Sequence, residues 1–164
     1  VKRLVLFAAF ALTACGPEAD PGPRVPLELY VSAGLLDQIS GFQLSLVTDG
    51  TSLDCFEVQK RCIKDQVAAS RFVKMKDAMG RDVQSVTFPI ALVNGMPNTQ
   101  DLSLTGIPTG SNYALVVEAV STDSTPRLSG SSCNYVKTLG AGTNAAVFAK
   151  IELLNPAAAC DPRH

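Results

Sequence analysis

The sequence predicts an all-β fold: a single antiparallel β-sandwich of about seven or eight strands over residues 25–164. Three observations point there. Apolar residues alternate with polar ones in short runs, which is the period of half-buried strands. Clusters rich in Gly, Pro and Asn interrupt those runs at spacings of roughly 8–15 residues, as turns between strands do. Cys55, Cys62, Cys133 and Cys160 form an even set, as expected of an exported domain stapled by disulfides.

In the first strand Val25, Leu27, Leu29 and Val31 share one face, with Glu28 and Tyr30 on the other. Residues 34–41 read as a loop or short helical turn. Phe42, Leu44 and Leu46 then alternate against Gln43 and Ser45. Asp49-Gly50 signals a hairpin, because that pair accepts positive φ, and residues 51–56 are the expected return strand. Segment 57–81 has two readings. Asp65 and Gly80 could bound a helix carrying Phe72, Met75 and Met79 at helical spacing. A hairpin turning at residues 77–80, between 71–76 and 83–89, is favoured because its flanks are strand-like. The Phe and Met positions are core filler in either case.

Val86, Phe88, Ile90 and Leu92 make the next alternating face, broken by turn chemistry at 94–98. Leu102, Leu104 and Ile107 open a further strand, which Pro108 to Asn112 turns. From Tyr113 to Val120 both faces are largely apolar, so this strand belongs in the centre, with Glu118 near an edge. Residues 122–127 are a polar loop, and 128–136 form a strand with Cys133. After the turn at 140–144, Val147, Ala149, Ile151 and Leu153 face inward against Lys150 and Glu152.

Four cysteines permit three connectivities. Closeness in sequence favours Cys55–Cys62, and Cys133–Cys160 would tie down a tail with little apolar bulk. Zinc is disfavoured, because the gap between Cys55 and Cys62 exceeds usual ligand spacing and His164 is the lone histidine.

At the N-terminus, Lys2 and Arg3 precede an uncharged apolar run over 4–12, too short to span a bilayer of about 30 Å. Leu12-Thr13-Ala14-Cys15 then resembles the lipobox of bacterial lipoprotein signals. The resemblance implies a signal peptide over 1–14 and diacylglycerol on the Cys15 thiol. It also implies cleavage before Cys15, which places the chain in the cell envelope. Residues 15–24 would be an anchored tether, with residues 16–24 lifting the domain about 28 Å at ~3.1 Å per residue. Two or three acyl chains hold a membrane stably, at about 0.8 kcal/mol per buried CH2. Gly16 after the Cys implies outer-membrane placement under the enterobacterial sorting rule. Further on, residues 104–119 resemble the hairpin of immunoglobulin-like and prealbumin-like sandwich modules, in which a Gly/Pro turn feeds a Tyr-led alternating strand. That resemblance implies a spacer or binder and supplies no active site.

Charge excludes some functions. Removing Lys2 and Arg3 from the 14 basic residues leaves 12 against 15 acidic ones, a net of −3. A nucleic-acid binder carries a positive excess instead. Lys60, Arg61, Lys64, Arg71, Lys74, Lys76 and Arg81 outnumber Asp65 and Asp77 within 60–81. This segment is either a solvated face or a docking surface for anionic headgroups or polysaccharide. No histidine precedes His164 to serve a Ser or Cys nucleophile. No phosphate-binding loop or metal-ligand spacing occurs, so neither cofactor nor metal is expected. Asp49, Asp54 and Asp123 read as turn residues. The expectation is a non-enzymatic envelope lipoprotein that presents a binding module to envelope proteins or polysaccharide. The alternatives are a structural or assembly subunit, a carbohydrate-binding domain, or a hydrolase accessory.

Overall fold

The computed structural model describes residues 22–90, 92–93, 96–97 and 102–163. The expected signal peptide, Cys15 and the tether up to residue 21 lie outside them, as does the turn at 94–98 apart from Met96 and Pro97. Eleven strands occur among the described residues: β1 (Val25–Val31), β2 (Ile39–Thr48), β3 (Met75–Lys76), β4 (Asp82–Val83), β5 (Ser85–Pro89), β6 (Leu92–Val93), β7 (Met96–Pro97), β8 (Ser103–Leu104), β9 (Gly110–Ser121), β10 (Leu128–Leu139) and β11 (Val147–Ala158). Two short helices, α1 (Ala33–Leu36) and α2 (Cys55–Val58), interrupt them. The fold is all-β.

Seven strands form one curled sheet in the order β5-β2-β9-β10-β11-β1-β8, and β3-β4 and β6-β7 are small hairpins. The sheet is mixed. β1 runs parallel to β11, with Leu27 opposite Val147 and Val31 opposite Ile151. Strand alternation alone does not report direction, so the antiparallel expectation fails at this one pair. β9 lies centrally between β2 and β10, as its two apolar faces require.

The curl gathers one core on the inner face. Leu44 and Leu46 from β2, Leu115 and Val117 from β9, Ala149 and Ile151 from β11, and Val25 and Leu27 from β1 all pack into it. Each fully buried aliphatic side chain contributes roughly 1.5–3 kcal/mol. Leu35 of α1 plugs the same core. Leu153, expected to face in, is 37% exposed.

The outer face of β2, β9 and β10 is covered as well, by residues 53–73. Val58, Ile63, Val67 and Phe72 pack there on Val47 and Val116. This cover differs from the expected return strand at 51–56. Asp49 adopts φ 54, and the chain enters a 3-10 turn over Gly50–Ser52. Gly50 passes so close to β9 that a Cβ there would lie 2.3 Å from the Tyr113 carbonyl carbon. Asp54 then caps α2 by accepting the Phe56 and Glu57 N–H groups. Such a cap contributes about 1 kcal/mol, in addition to the burial of Val58, Ile63 and Phe72. Two further 3-10 turns follow, Ile63–Asp65 and Ala69–Arg71. The hairpin expected around 77–80 is present but short. β3 pairs with β4 over two residues each, and Gly80 supplies the positive φ of the turn. β5 departs from it to pair with β2.

The disulfides cross. Cys55 bonds Cys133, and Cys62 bonds Cys160. This corrects the expected Cys55–Cys62 and Cys133–Cys160 pairing. The helical turn between Cys55 and Cys62 packs Val58 on the sheet. It delivers Cys55 to the outer face of β10 and leaves Cys62 beneath the C-terminal tail. Nearness along the chain carries no information about which partner each thiol faces.

Candidate functional site

Two places on the outer face carry chemistry. The first is enclosed. Gln43 on β2, Glu118 on β9 and Ser131 on β10 lie in one row, since Gln43 pairs with Glu118 and Glu118 with Ser131. Sheet pairing puts such residues side by side on one face. Glu118 is only 1% exposed, which corrects its expected place near an edge. Its Oε1 accepts the Ile63 N–H at 2.8 Å, and Gln43 Nε2 approaches its Oε2 at 3.5 Å. Gln43 Nε2 also donates to the Pro162 carbonyl in the C-terminal tail. Burial pushes the Glu118 carboxyl up to about 7, against the opposing pull of the Ile63 N–H, Gln43 and Lys64. The group therefore titrates near neutral pH, because taking a carboxylate out of water disfavours its charged form. The Ser45 and Ser131 hydroxyls are buried there without a hydrogen-bond partner among the described residues. Close by, ligand atoms of Cys62, Asp65 and Cys160 lie within 4.8 Å of one another, but the two sulfurs are bonded to each other.

The second place is open. Outward positions on β1 and β11 carry Tyr30 and Phe148, which are 56% and 57% exposed. Their rings stack with centroids 6.3 Å apart and planes 28° apart. Glu28 is cross-strand from Phe148 and Lys150 from Tyr30, and Lys150 pairs with Glu152 at 2.5 Å. The result is an aromatic platform ringed by hydrogen-bonding groups. A groove of about 400 Å³ runs between Tyr135–Leu139 of β10 and residues 144–147, the last of which begins β11, and Tyr135 is exposed.

The basic segment is dispersed by comparison. Lys60 pairs with Glu57 and lies 3.9 Å over the Phe56 ring, Lys76 pairs with Asp82, and Arg81 with Asp77. Lys64 donates to the Arg163 carbonyl. Arg61, Lys64 and Lys74 make no ion pair among the described residues. Arg71 is a structural staple, donating to the Thr48 and Asp49 carbonyls and to Ser52 Oγ. Arg71→Ala should therefore lower stability by about 1–2 kcal/mol, whereas Lys74→Ala should stay within about 0.5 kcal/mol of wild type. Urea unfolding of the two variants checks the contrast, and equal midpoints would refute it.

Sequence reasoning passed over both places. Tyr30 and Phe148 were visible as apolar residues in outward register on alternating strands. Glu118 was visible as a carboxylate in an otherwise apolar strand, but its cover comes from residues far along the chain. Comparison with known protein families, curated proteins and solved structures finds no match to this chain.

Proposed function

We propose that this chain is a lipid-anchored, non-enzymatic binding module of the bacterial cell envelope. The observation that carries this reading is a cysteine count. Of five cysteines, four are consumed by Cys55–Cys133 and Cys62–Cys160, and the one left over is Cys15 of the lipobox-like stretch. A domain that uses disulfides belongs to an oxidising compartment, and an acylated Cys15 would hold it at the membrane, the outer membrane by the residue at Gly16. Mass spectrometry of the native N-terminal peptide should find an acyl-modified Cys15, and an unmodified residue there would overturn the anchor.

The finer architecture is read as a β-sandwich of the immunoglobulin-like or prealbumin-like kind. Supporting that reading, side chains of β2, β9, β1 and β11 share one core, as they would between two packed β layers. The binding face is the Tyr30–Phe148 platform, and its ligand class is envelope polysaccharide. Sugar rings offer C–H faces to stacked aromatics and hydroxyls to the flanking Glu28, Lys150 and Glu152. Exposed aromatic pairs of this kind are enriched where proteins bind. Pulldown on purified peptidoglycan and lipopolysaccharide tests it. Tyr30→Ala and Phe148→Ala should each weaken retention about tenfold, or 1.4 kcal/mol, with unfolding midpoints unchanged. Undiminished retention in the double variant would refute the platform. An assembly role is the second reading, favoured by β5 standing at the edge of the sheet, where strand addition is open to a partner.

A further inference from the structure

We propose that the C-terminal segment 159–163 is a redox-controlled latch over the buried Glu118 carboxyl, and that reduction of Cys62–Cys160 opens it while the sheet stays folded. The inference stands apart from the anchor and from the aromatic platform.

After Ala158 the chain leaves β11 and crosses the outer face. Five contacts hold it there, one of them the Cys62 N–H donating to Cys160 Sγ at 3.0 Å. Cys160 bonds Cys62. The Leu128 N–H donates to the Cys160 carbonyl at 3.1 Å. Gln43 donates to the Pro162 carbonyl, and Lys64 Nζ donates to the Arg163 carbonyl at 2.6 Å. Pro162 is buried, but the segment has no larger apolar anchor. Such hydrogen bonds are individually weak, and ordering each backbone residue opposes them with a cost of similar size. The covalent bond therefore decides whether the segment stays down. The inner core draws no residue from 159–163, and Cys55–Cys133 secures α2 to β10 independently. Opening the latch leaves both in place.

The chemistry requires a dithiol reductant. One of its thiolates attacks Cys160 Sγ, the more exposed sulfur, since Cys62 is fully buried. The Cys62 thiolate leaves and takes a proton. The second thiol of the reductant then displaces Cys160, which is protonated in turn. The reductant ends as a disulfide and the protein as two thiols, with two electrons and two protons transferred.

What opens is a carboxyl site. Among the described residues, the ionisable groups that act on the Glu118 carboxyl are Lys64 and Asp65 of the Ile63–Asp65 turn. The tail that crosses it carries Asp161 and Arg163, which pair with each other. β2 and β10 contribute the neutral Gln43 and Ser131, and Glu152 beyond them is paired with Lys150. With the tail gone, water reaches Glu118 and the carboxyl ionises at neutral pH. Thiol state and carboxyl charge are thereby linked, each biasing the other.

The experiment compares the oxidised full chain with the chain partly reduced by dithiothreitol, in which peptide mapping finds Cys62–Cys160 open and Cys55–Cys133 intact, and with the C62S/C160S variant, which keeps Cys55–Cys133. Carboxypeptidase trimming reads the tail, carboxyl-carbon NMR reads Glu118, and far-UV circular dichroism reads the sheet. The latch predicts trimming at least tenfold faster in both opened forms with an unchanged sheet signal. It also predicts a Glu118 midpoint that falls from about 7 toward its ordinary 4.5. Trimming within twofold of the oxidised protein, a midpoint that stays near 7, or loss of the sheet signal on opening would each overturn it.

Discussion

Replacing Cys55 and Cys133 together by serine should cost about 3.5 kcal/mol and lower the melting temperature by about 10 °C. Taken alone, a cross-link closing a loop with a sequence separation of 78 constrains the unfolded chain by about 4.5 kcal/mol in the chain-entropy account. Cys62–Cys160 encloses an overlapping loop and shortens the route between residues 55 and 133 to about 34 residues in the unfolded chain, hence the smaller figure. The variant also reports connectivity. In the crossed arrangement it retains an intact Cys62–Cys160 bond and shows no free thiol among those two residues. In the sequential arrangement it would leave both of them unpaired. Thiol titration in denaturant, followed by thermal unfolding, checks both points. Two titratable thiols, or a loss below about 1 kcal/mol, would contradict the structure.

Stability should fall as pH rises from about 4.5 to above 7, by about 3 kcal/mol. The cause is Glu118, whose carboxyl is raised from 4.5 to about 7 by burial. Between those values the folded form holds a proton that the unfolded form has released. The protonated, folded state is therefore favoured below pH 4.5, and that advantage is lost as pH passes through about 7. Asp77, Asp82, Glu152 and Asp161 are held below their ordinary values by hydrogen bonds and charges from Arg81, Lys76, Lys150 and Arg163 respectively. Their contributions have the opposite sign and are lost as pH falls through the acid range, outside the window of Glu118. Glu118→Gln should flatten the profile between pH 5 and 8, because the carboxamide does not titrate there. Urea unfolding at half-unit pH intervals provides the measurement. A wild-type profile that is flat or rises over that range would show that Glu118 is ionised in the fold.

Alternation was enough to place strands at β1, β2, β9, β10 and β11 and to choose the inward faces of β1 and β2 and of β11 as far as Ile151, though not at Leu153. In a strand, burial is decided by period two, a local property of the residues themselves. The same reasoning marked β9 as central, since a strand apolar on both faces needs cover on both. The cysteines announced disulfides for an equally local reason, their even number.

Everything that depended on a partner distant in sequence was settled by the tertiary structure. β1 pairs in parallel with β11, far along the chain, where Val25 and Leu27 join the core that Ala149 and Ile151 line. Residues 51–56, expected as a return strand, take helical turns because Asp54 caps α2 and Val58, Ile63 and Phe72 just beyond bury against Val47 and Val116. Glu118 is an edge residue by pattern and a buried acid in fact, since Ile63 and the tail at Pro162 close over it. The cysteine pairing follows the same rule. By itself, the sequence determined which residues seek the interior, because hydrophobicity and strand period are properties of each segment. Only the folded chain decided which segments meet, because the free energy of a contact belongs to both surfaces that form it.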